Sequence, residues 1–300
     1  MFDSFFKQRQ RYFSRSGLTG VSLLAGMLAF GIAHAAADVN TEYINGELTG
    51  PQVFAGEGYH SIALVNSTDR PVDFTLSRLH DDVTVGTYVQ ANDALQQAIS
   101  GADNAEMVAA EKQYIADVDG LSGAIVKAHG ETDMYADLET GTYVVAAAPE
   151  TEGGNTGAPA YLSFIVTESG AKAAAPEVTN SVDLADFSFD FPDEVKAGAN
   201  LWKISNTGTQ PHMAAFFKLL PGKTVADLKA FLSDRTGKAG TPPFDVNDTP
   251  EAEVLTPGRT AYLPLDFSQG DWVAVCFVQD IDNPAVAHFM EGMIEEFTVS

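Results

Sequence analysis

Residues 53–85, VFAGEGYHSIALVNSTDRPVDFTLSRLHDDVTV, recur in altered form as residues 195–225, VKAGANLWKISNTGTQPHMAAFFKLLPGKTV. With a two-residue gap, Val53, Ala55 and Gly56 fall on Val195, Ala197 and Gly198, Asn66 on Asn206, and Pro71 on Pro211. Leu79 falls on Leu219 and Thr84-Val85 on Thr224-Val225, and later GTYVVAA from Gly141 matches GDWVAVC from Gly270. Self-similarity at a fixed offset means one fold used twice.

Each copy reads mainly as β. Short alternating or apolar runs such as HSIALVN, LWKISN, TYVVAAA, DWVAVCFV and EEFTVS are separated by Gly, Pro, Asn and Asp, the punctuation of an antiparallel sandwich. The stretch from about 93 to 128, containing LQQAI, EMVAAEKQYIADV and LSGAIVKA, reads as a helical insertion, and TVADLKAFL is a shorter helix at the equivalent place in the second copy. ESGAKAAAPEVTN, residues 168–180, lacks apolar periodicity and reads as a linker. The expected organisation is an all-β chain with helical insertions, its first domain at 38–167 and its second at 181–300.

Residues 1–37 read differently. Lys7, Arg9, Arg11 and Arg15 precede an uncharged run that ends in small residues around Ala33-His34-Ala35, the pattern of a cleaved signal peptide. That implies an exported protein, periplasmic or secreted, with an uncleaved N-terminal anchor as the alternative and no membrane span once the leader is gone. The whole chain has 17 basic and 41 acidic residues and a formal charge of −24, which becomes −27 without the leader. Such a surface repels nucleic acid and anionic lipid. It suits a basic protein partner, or serves solubility alone.

The chain has one cysteine, Cys276, so no intrachain disulfide forms, and an odd thiol in an exported protein is intermolecular, reactive or bound to something. Taken singly, Cys276 reads as a small buried hydrophobe, His212 as a structural histidine and Met293 as core filler. Taken together they form an ordered set, because the second copy holds just two histidines, His212 before the cysteine and His288 after it. Thiolate and thioether suit Cu(I), imidazole suits both copper oxidation states, and His₂Cys with a weak axial Met is a compromise between the geometries the two states prefer. Copper is therefore the expected cofactor, one ion per chain, with His212, Cys276, His288 and Met293 as its candidate ligands. Met290 competes with Met293 for the axial position.

NTGTQPHMAAFF, residues 206–217, resembles the Asn-x-Gly-x-x-Pro-His strand of the cupredoxins, and Cys276, His288 and Met293 resemble their C-terminal Cys, His and Met loop. The resemblance implies two tandem Greek-key β-sandwiches, with a type 1 blue copper held by those four residues in the second. Two departures stand out: the Cys-x₁₁-His spacing is widened by DIDNPAVA, which displaces Pro284, and Met213 follows the upstream histidine where many cupredoxins have Asn. The first copy has Val72 at the place of His212 and Ala147 at the place of Cys276, with Asn155 and Ala160 near the other two positions, so it is expected to lack copper. Its own His60, His80 and His129 lie off the ligand positions and read as surface or structural residues.

No His-x-His unit occurs, and Cys276 is flanked by Val275 and Phe277 rather than by histidine. A second, catalytic copper is thus not expected, and neither a Gly-x-Ser-x-Gly elbow nor a His-Glu-x-x-His helix offers other catalysis. DIDN at 280–283 reads as a turn rather than a Ca²⁺ loop. The reading that follows is a one-electron carrier, not an enzyme, that meets a redox partner protein at an exposed ligand edge. Copper capture and delivery, or a metal-free pair used for adhesion or assembly, are the alternatives.

Overall fold

The computed structural model describes residues 38–300 apart from 102–103, 152–156, 169, 235–239, 247 and 284–285. The expected leader, Asn155 and Pro284 lie outside the described residues. The first half runs β1 (Val39–Ile44), β2 (Glu47–Thr49), β3 (Val53–Ala55), β4 (Gly58–Asn66) and β5 (Val72–Leu79). Helices α1 (Val85–Gly101) and α2 (Asn104–Asp117) follow, then β6 (Val118–Val126), β7 (Glu131–Leu138), β8 (Gly141–Pro149) and β9 (Ala160–Thr167). The second half repeats the order with β10 (Asn180–Ala185), β11 (Ser188–Asp190), β12 (Gly198–Asn206), β13 (His212–Lys218), α3 (Val225–Ser233), β14 (Glu251–Leu255), β15 (Thr260–Phe267), β16 (Gly270–Val275), α4 (His288–Glu291) and β17 (Ile294–Val299).

The repeat is structural in detail. In each half the first strand forms a hairpin with the second and runs parallel to the fourth or its equivalent, with Tyr43 opposite Asn66 and Leu184 opposite Asn206. The matched asparagines do the same work. Asn66 Nδ2 donates to the carbonyls of Arg70 and Val126, and Asn206 Nδ2 donates to those of Gln210 and Leu255. A buried amide that ties a turn to the neighbouring strand satisfies carbonyls that would otherwise be costly to bury. Tyr143 and Trp272, matched at the start of the last repeat block, likewise each donate to the carbonyl four residues back, Glu139 and Ser268.

The strands form an eight-stranded sheet, β11-β10-β12-β15-β7-β4-β1-β2, and a nine-stranded sheet, β17-β16-β13-β14-β6-β5-β8-β9-β3. Both sheets therefore run through both halves, joined where Tyr262 and Ala261 pair with Tyr135 and Ala136, and where Leu255 pairs with Leu121. At the same seam Arg259 pairs with Asp119, and Ser122 Oγ donates to the Glu253 carbonyl. One apolar core lies between the sheets, with Phe74, Phe164, Trp202, Phe216 and Phe267 buried in it. The helices cover outer faces: α1 sets Tyr88 against Leu79, Val118 and Val144, and α3 sets Leu228 and Phe231 against Phe217 and Val273. No described helix is long and apolar enough to cross a membrane.

The helical insertion differs from the expected 93–128. It starts earlier, where the Thr84 hydroxyl accepts the Thr87 N–H, and it ends at Asp117. LSGAIVKA is not helical; its apolar part lies in β6, between β5 and β14. A Cβ on Gly123 would lie 1.9 Å from the Phe74 carbonyl oxygen, so glycine is required where β6 packs this closely on β5. A short apolar run does not distinguish a buried strand from a helix. The second insertion is helical as expected, its N-terminus held by a capping box between Thr224 and Asp227.

Candidate metal centre

His212 opens β13, and Cys276 follows the end of β16, the strand paired with β13 through Ala215 and Val275. A register shift between His212 and Ala214 against β14 turns the start of β13, as bulges beside functional sites do. The chain beyond Cys276 doubles back. The His288 N–H donates to the Val278 carbonyl, Phe289 N–H to that of Cys276, and Met293 N–H to that of His288. The Cys276 N–H donates in turn to the Met293 carbonyl. Gly292, at φ +128, lets the chain reverse between α4 and β17.

His212, Cys276, His288 and Met293 are all fully buried. Among the described residues, His212, Cys276 and His288 form the one group of at least three His, Cys, Asp or Glu donors close enough to share an ion. The two Nδ1 atoms are 3.0 Å apart, and Cys276 Sγ is 3.5 Å from that of His288 and 3.9 Å from that of His212. With first-row metal bonds of about 2.0 Å to nitrogen and about 2.3 Å to sulfur, near-trigonal donors stand roughly 3.3–3.5 Å apart for nitrogen pairs and roughly 3.5–3.7 Å for nitrogen and sulfur. The observed triangle fits such an ion to within about 0.5 Å.

The outward ring nitrogens explain why the inward ones are available. His212 Nε2 donates to Asp186 Oδ1 at 2.9 Å, and His288 Nε2 donates to Gln210 Oε1 at 3.1 Å. Gln210 is oriented by two further bonds, its Nε2 donating to Asp280 Oδ1 and its Oε1 accepting from the Ile281 N–H. Both imidazoles are thereby fixed with the proton on Nε2 and a lone pair on Nδ1. Burial lowers the pKa of both rings, that of His288 to about 4, with His212 contributing to the depression of His288, while Asp186 opposes the shift at His212. Burial also pushes the Cys276 thiol up to about 12. Two facing lone pairs repel, and the single thiol proton can bridge only one of the pairs. A cation between the three donors relieves the repulsion and displaces that proton.

No family model and no curated protein matches this chain. Among solved structures, auracyanin A, titled a "blue" copper protein from the green thermophilic photosynthetic bacterium Chloroflexus aurantiacus, is 17% identical over 40% of this chain and 98% of its own, with a TM-score of 0.26. A multicopper oxidase is 14% identical over 88% of both chains, with a TM-score of 0.23. Copper nitrite reductase from Nitrosomonas europaea is 10% identical over 87% of this chain and 93% of its own, also at 0.23. The strand topology stands by itself: two Greek-key sandwiches, the second carrying His, Cys and His donors at the ends of adjacent strands. The fold is a doubled β-sandwich.

In the second half, Met293 lies in the same core as Cys276, whereas Met290 packs, partly buried, beside Phe289 and Phe277. The first half has Val72 and Ala147 fully buried at the matching strand positions, and Ala160 opens β9. His60 bonds Asp38, His80 bonds the Ala116 carbonyl and His129 bonds Asp69, so each serves a local contact. DIDN is a turn, closed by the Asn283 N–H on the Asp280 carbonyl.

Two expectations change. The widened Cys-to-His loop supplies Asp280 and the Ile281 N–H, the groups that orient Gln210 on His288, so the insertion braces the site. There is also no exposed ligand edge, since both imidazoles are fully buried. The layer above them is the turn between β10 and β11. There Asp186 holds His212, and the Phe187 ring lies edge-on to His288 at 5.3 Å. The equivalent turn in the first half is Asn45-Gly46, with Gly46 at φ +85, and Phe187 occupies that left-handed region at φ +65. A bulky residue there is a strained outlier, and such strain gathers at functional sites.

Asp186, Phe187 and Gln210 were not singled out from sequence. The signal existed in the comparison of the two copies, where Asn45, Gly46 and Arg70 become Asp186, Phe187 and Gln210 while the flanking strand pattern is kept. Gly208 completes the group: a Cβ there would lie 2.3 Å from Asp186 Oδ1 and 2.7 Å from His212 Nε2. Burial alone would raise the Asp186 pKa, but hydrogen bonds from Thr209, His212 and the Gln210 backbone outweigh it and hold the carboxyl at about 2.

Proposed function

We propose that this protein is an exported one-electron carrier that holds a single type 1 copper in its C-terminal half, with His212, Cys276 and His288 as strong ligands and Met293 as the axial one. The observation that carries this reading is the neutral His–Cys–His triangle, with both imidazole lone pairs turned inward by Asp186 and Gln210. The donor set selects the metal, since thiolate and imidazole in this combination favour copper over harder ions. Copper held there would supply reversible one-electron chemistry.

The chain's own contribution is rigidity and exclusion of water. Each ring is hydrogen-bonded from behind, and the loop carrying His288 is laced to Cys276 and Met293 through backbone bonds. Donors fixed in this way move little when the charge of a bound ion changes, which favours rapid electron exchange over copper release. Electrons would enter or leave through the layer formed by Asp186 and Phe187, and the acidic surface suits a partner with a basic face.

The test is voltammetry of the copper-loaded protein followed by repeated redox cycling. A reversible one-electron wave, with copper retained over many cycles, supports the carrier. Loss of copper on reduction contradicts it and points to delivery.

A further inference from the structure

We propose that the cavity between the two halves, behind Cys276, is a binding site for a compact organic cation, an amine on a small apolar body. The cavity has a volume of about 210 Å³ and is roofed by α1 and α2, floored by β5, β6 and β8, and closed from the second half by β14 and the residues that follow His212 and Cys276. It is a different space from the metal centre but shares a wall with it. Met213, whose N–H donates to Cys276 Sγ, lines it, as does Phe277.

The chemistry of the wall selects the occupant. Most of the lining is apolar, yet Asp73, Glu111, Glu150, Glu251 and Glu253 all contribute to it, and no lysine, arginine or histidine does. Glu111 is the key group of this wall. It projects from α2, is half-buried, lines the cavity, and its side chain makes no hydrogen bond or ion pair with any described residue. Burial raises its pKa to about 8, the mark of a carboxylate short of a counter-charge. An ammonium group in the cavity supplies that charge through a charge-assisted hydrogen bond. Tyr114 and Phe277 line the same wall, and aromatic rings attract cations.

Other occupants fit less well. A bare metal ion needs converging ligands, and among the described residues the carboxylates of this cavity form no such group. An anion meets like charge on every side. Size sets the scale of the amine: an apolar cavity of about 150 Å³ accommodates benzene, so this one takes a single ring with a short aminoalkyl arm.

The experiment is calorimetric titration of the metal-free full chain with 2-phenylethylamine, alongside 2-phenylethanol and 3-phenylpropionate of nearly the same shape. Saturable 1:1 binding of the amine, at least about tenfold tighter than the alcohol and with no binding of the acid, is expected. Glu111→Gln should erase the preference for the amine while leaving the alcohol's affinity within about twofold. Ala148→Leu, which fills the cavity from β8, should weaken both ligands at an unchanged circular dichroism spectrum. Equal binding of amine and alcohol, an amine affinity indifferent to Glu111→Gln, or no saturable binding overturns the proposal. Because no copper is present, failure here leaves the metal centre untouched.

Discussion

His212 and His288 face each other through their Nδ1 atoms at 3.0 Å, each ring pinned from behind by a different partner, Asp186 for the first and Gln210 for the second. The two pins touch each other, the Gln210 N–H donating to Asp186 Oδ1 at 3.2 Å, but they come from different segments. Asp186 belongs to the turn after β10, while Gln210 precedes β13 and is itself held by Asp280. Removing either pin frees one ring to rotate or to change tautomer. Asp186→Ala and Gln210→Ala should each weaken copper binding by about 10–100-fold, measured by chelator competition. Each also strands buried groups, the Ile281 N–H and His288 Nε2 for Gln210 and the Gln210 N–H and His212 Nε2 for Asp186, so apo stability should fall by about 1–3 kcal/mol as well.

Phe187 tests whether strain is maintained for the site. Glycine fits a φ of +65, so Phe187→Gly removes the strain, and the lost ring contacts offset part of the gain. Phe187→Ala keeps the strain and loses the ring, so it should be about 1 kcal/mol less stable than the glycine variant in denaturant unfolding. Both should let a chelator strip bound copper faster than from the parent, since the ring over His288 is gone.

The matched asparagines separate folding from function. Asn206→Ala and Asn66→Ala each leave buried carbonyls without their amide donor, and each should cost about 2–4 kcal/mol in unfolding free energy. Only Asn206→Ala should also weaken copper binding, because its turn presents Gln210 and His212. Equal effects of the two on copper would contradict the assignment of the site to the second half.

Glu111 gives the apo protein a pH signature. Its folded pKa, about 8, lies above the ordinary value of 4.5, so the folded chain holds a proton that the unfolded chain has released between those values. This contribution to stability is complete below about pH 4.5 and declines as pH rises toward 8, by up to about 1.4 kcal/mol per pH unit. Tyr114 on the same helix, and Asp73 and Glu253 from β5 and β14, line the same cavity. Glu111→Gln should flatten the decline in a series of urea unfolding curves from pH 5 to 8.

Much of this was legible in the sequence, for identifiable reasons. The repeat exposed the doubled sandwich because Asn66 and Asn206, Pro71 and Pro211 mark turns whose geometry needs those residues. The ligand group was legible because soft donors are rare here, with one cysteine in the chain and two histidines in its second half. What was missed depends on contacts between segments far apart in the chain. Nothing local says that Asp186 meets His212 or that Asp280 reaches Gln210 across 70 positions. β6 was misread as helix because an apolar run with small residues satisfies both periods, and its role as the seam between halves follows from pairing with β14 alone.

The central claim is tested most directly by adding Cu(II) to the purified protein and recording its visible spectrum. The account predicts one equivalent of copper and intense thiolate-to-copper absorption, lost in Cys276→Ser, His212→Ala and His288→Ala. A colourless protein whose thiol remains freely titratable after copper addition would contradict it.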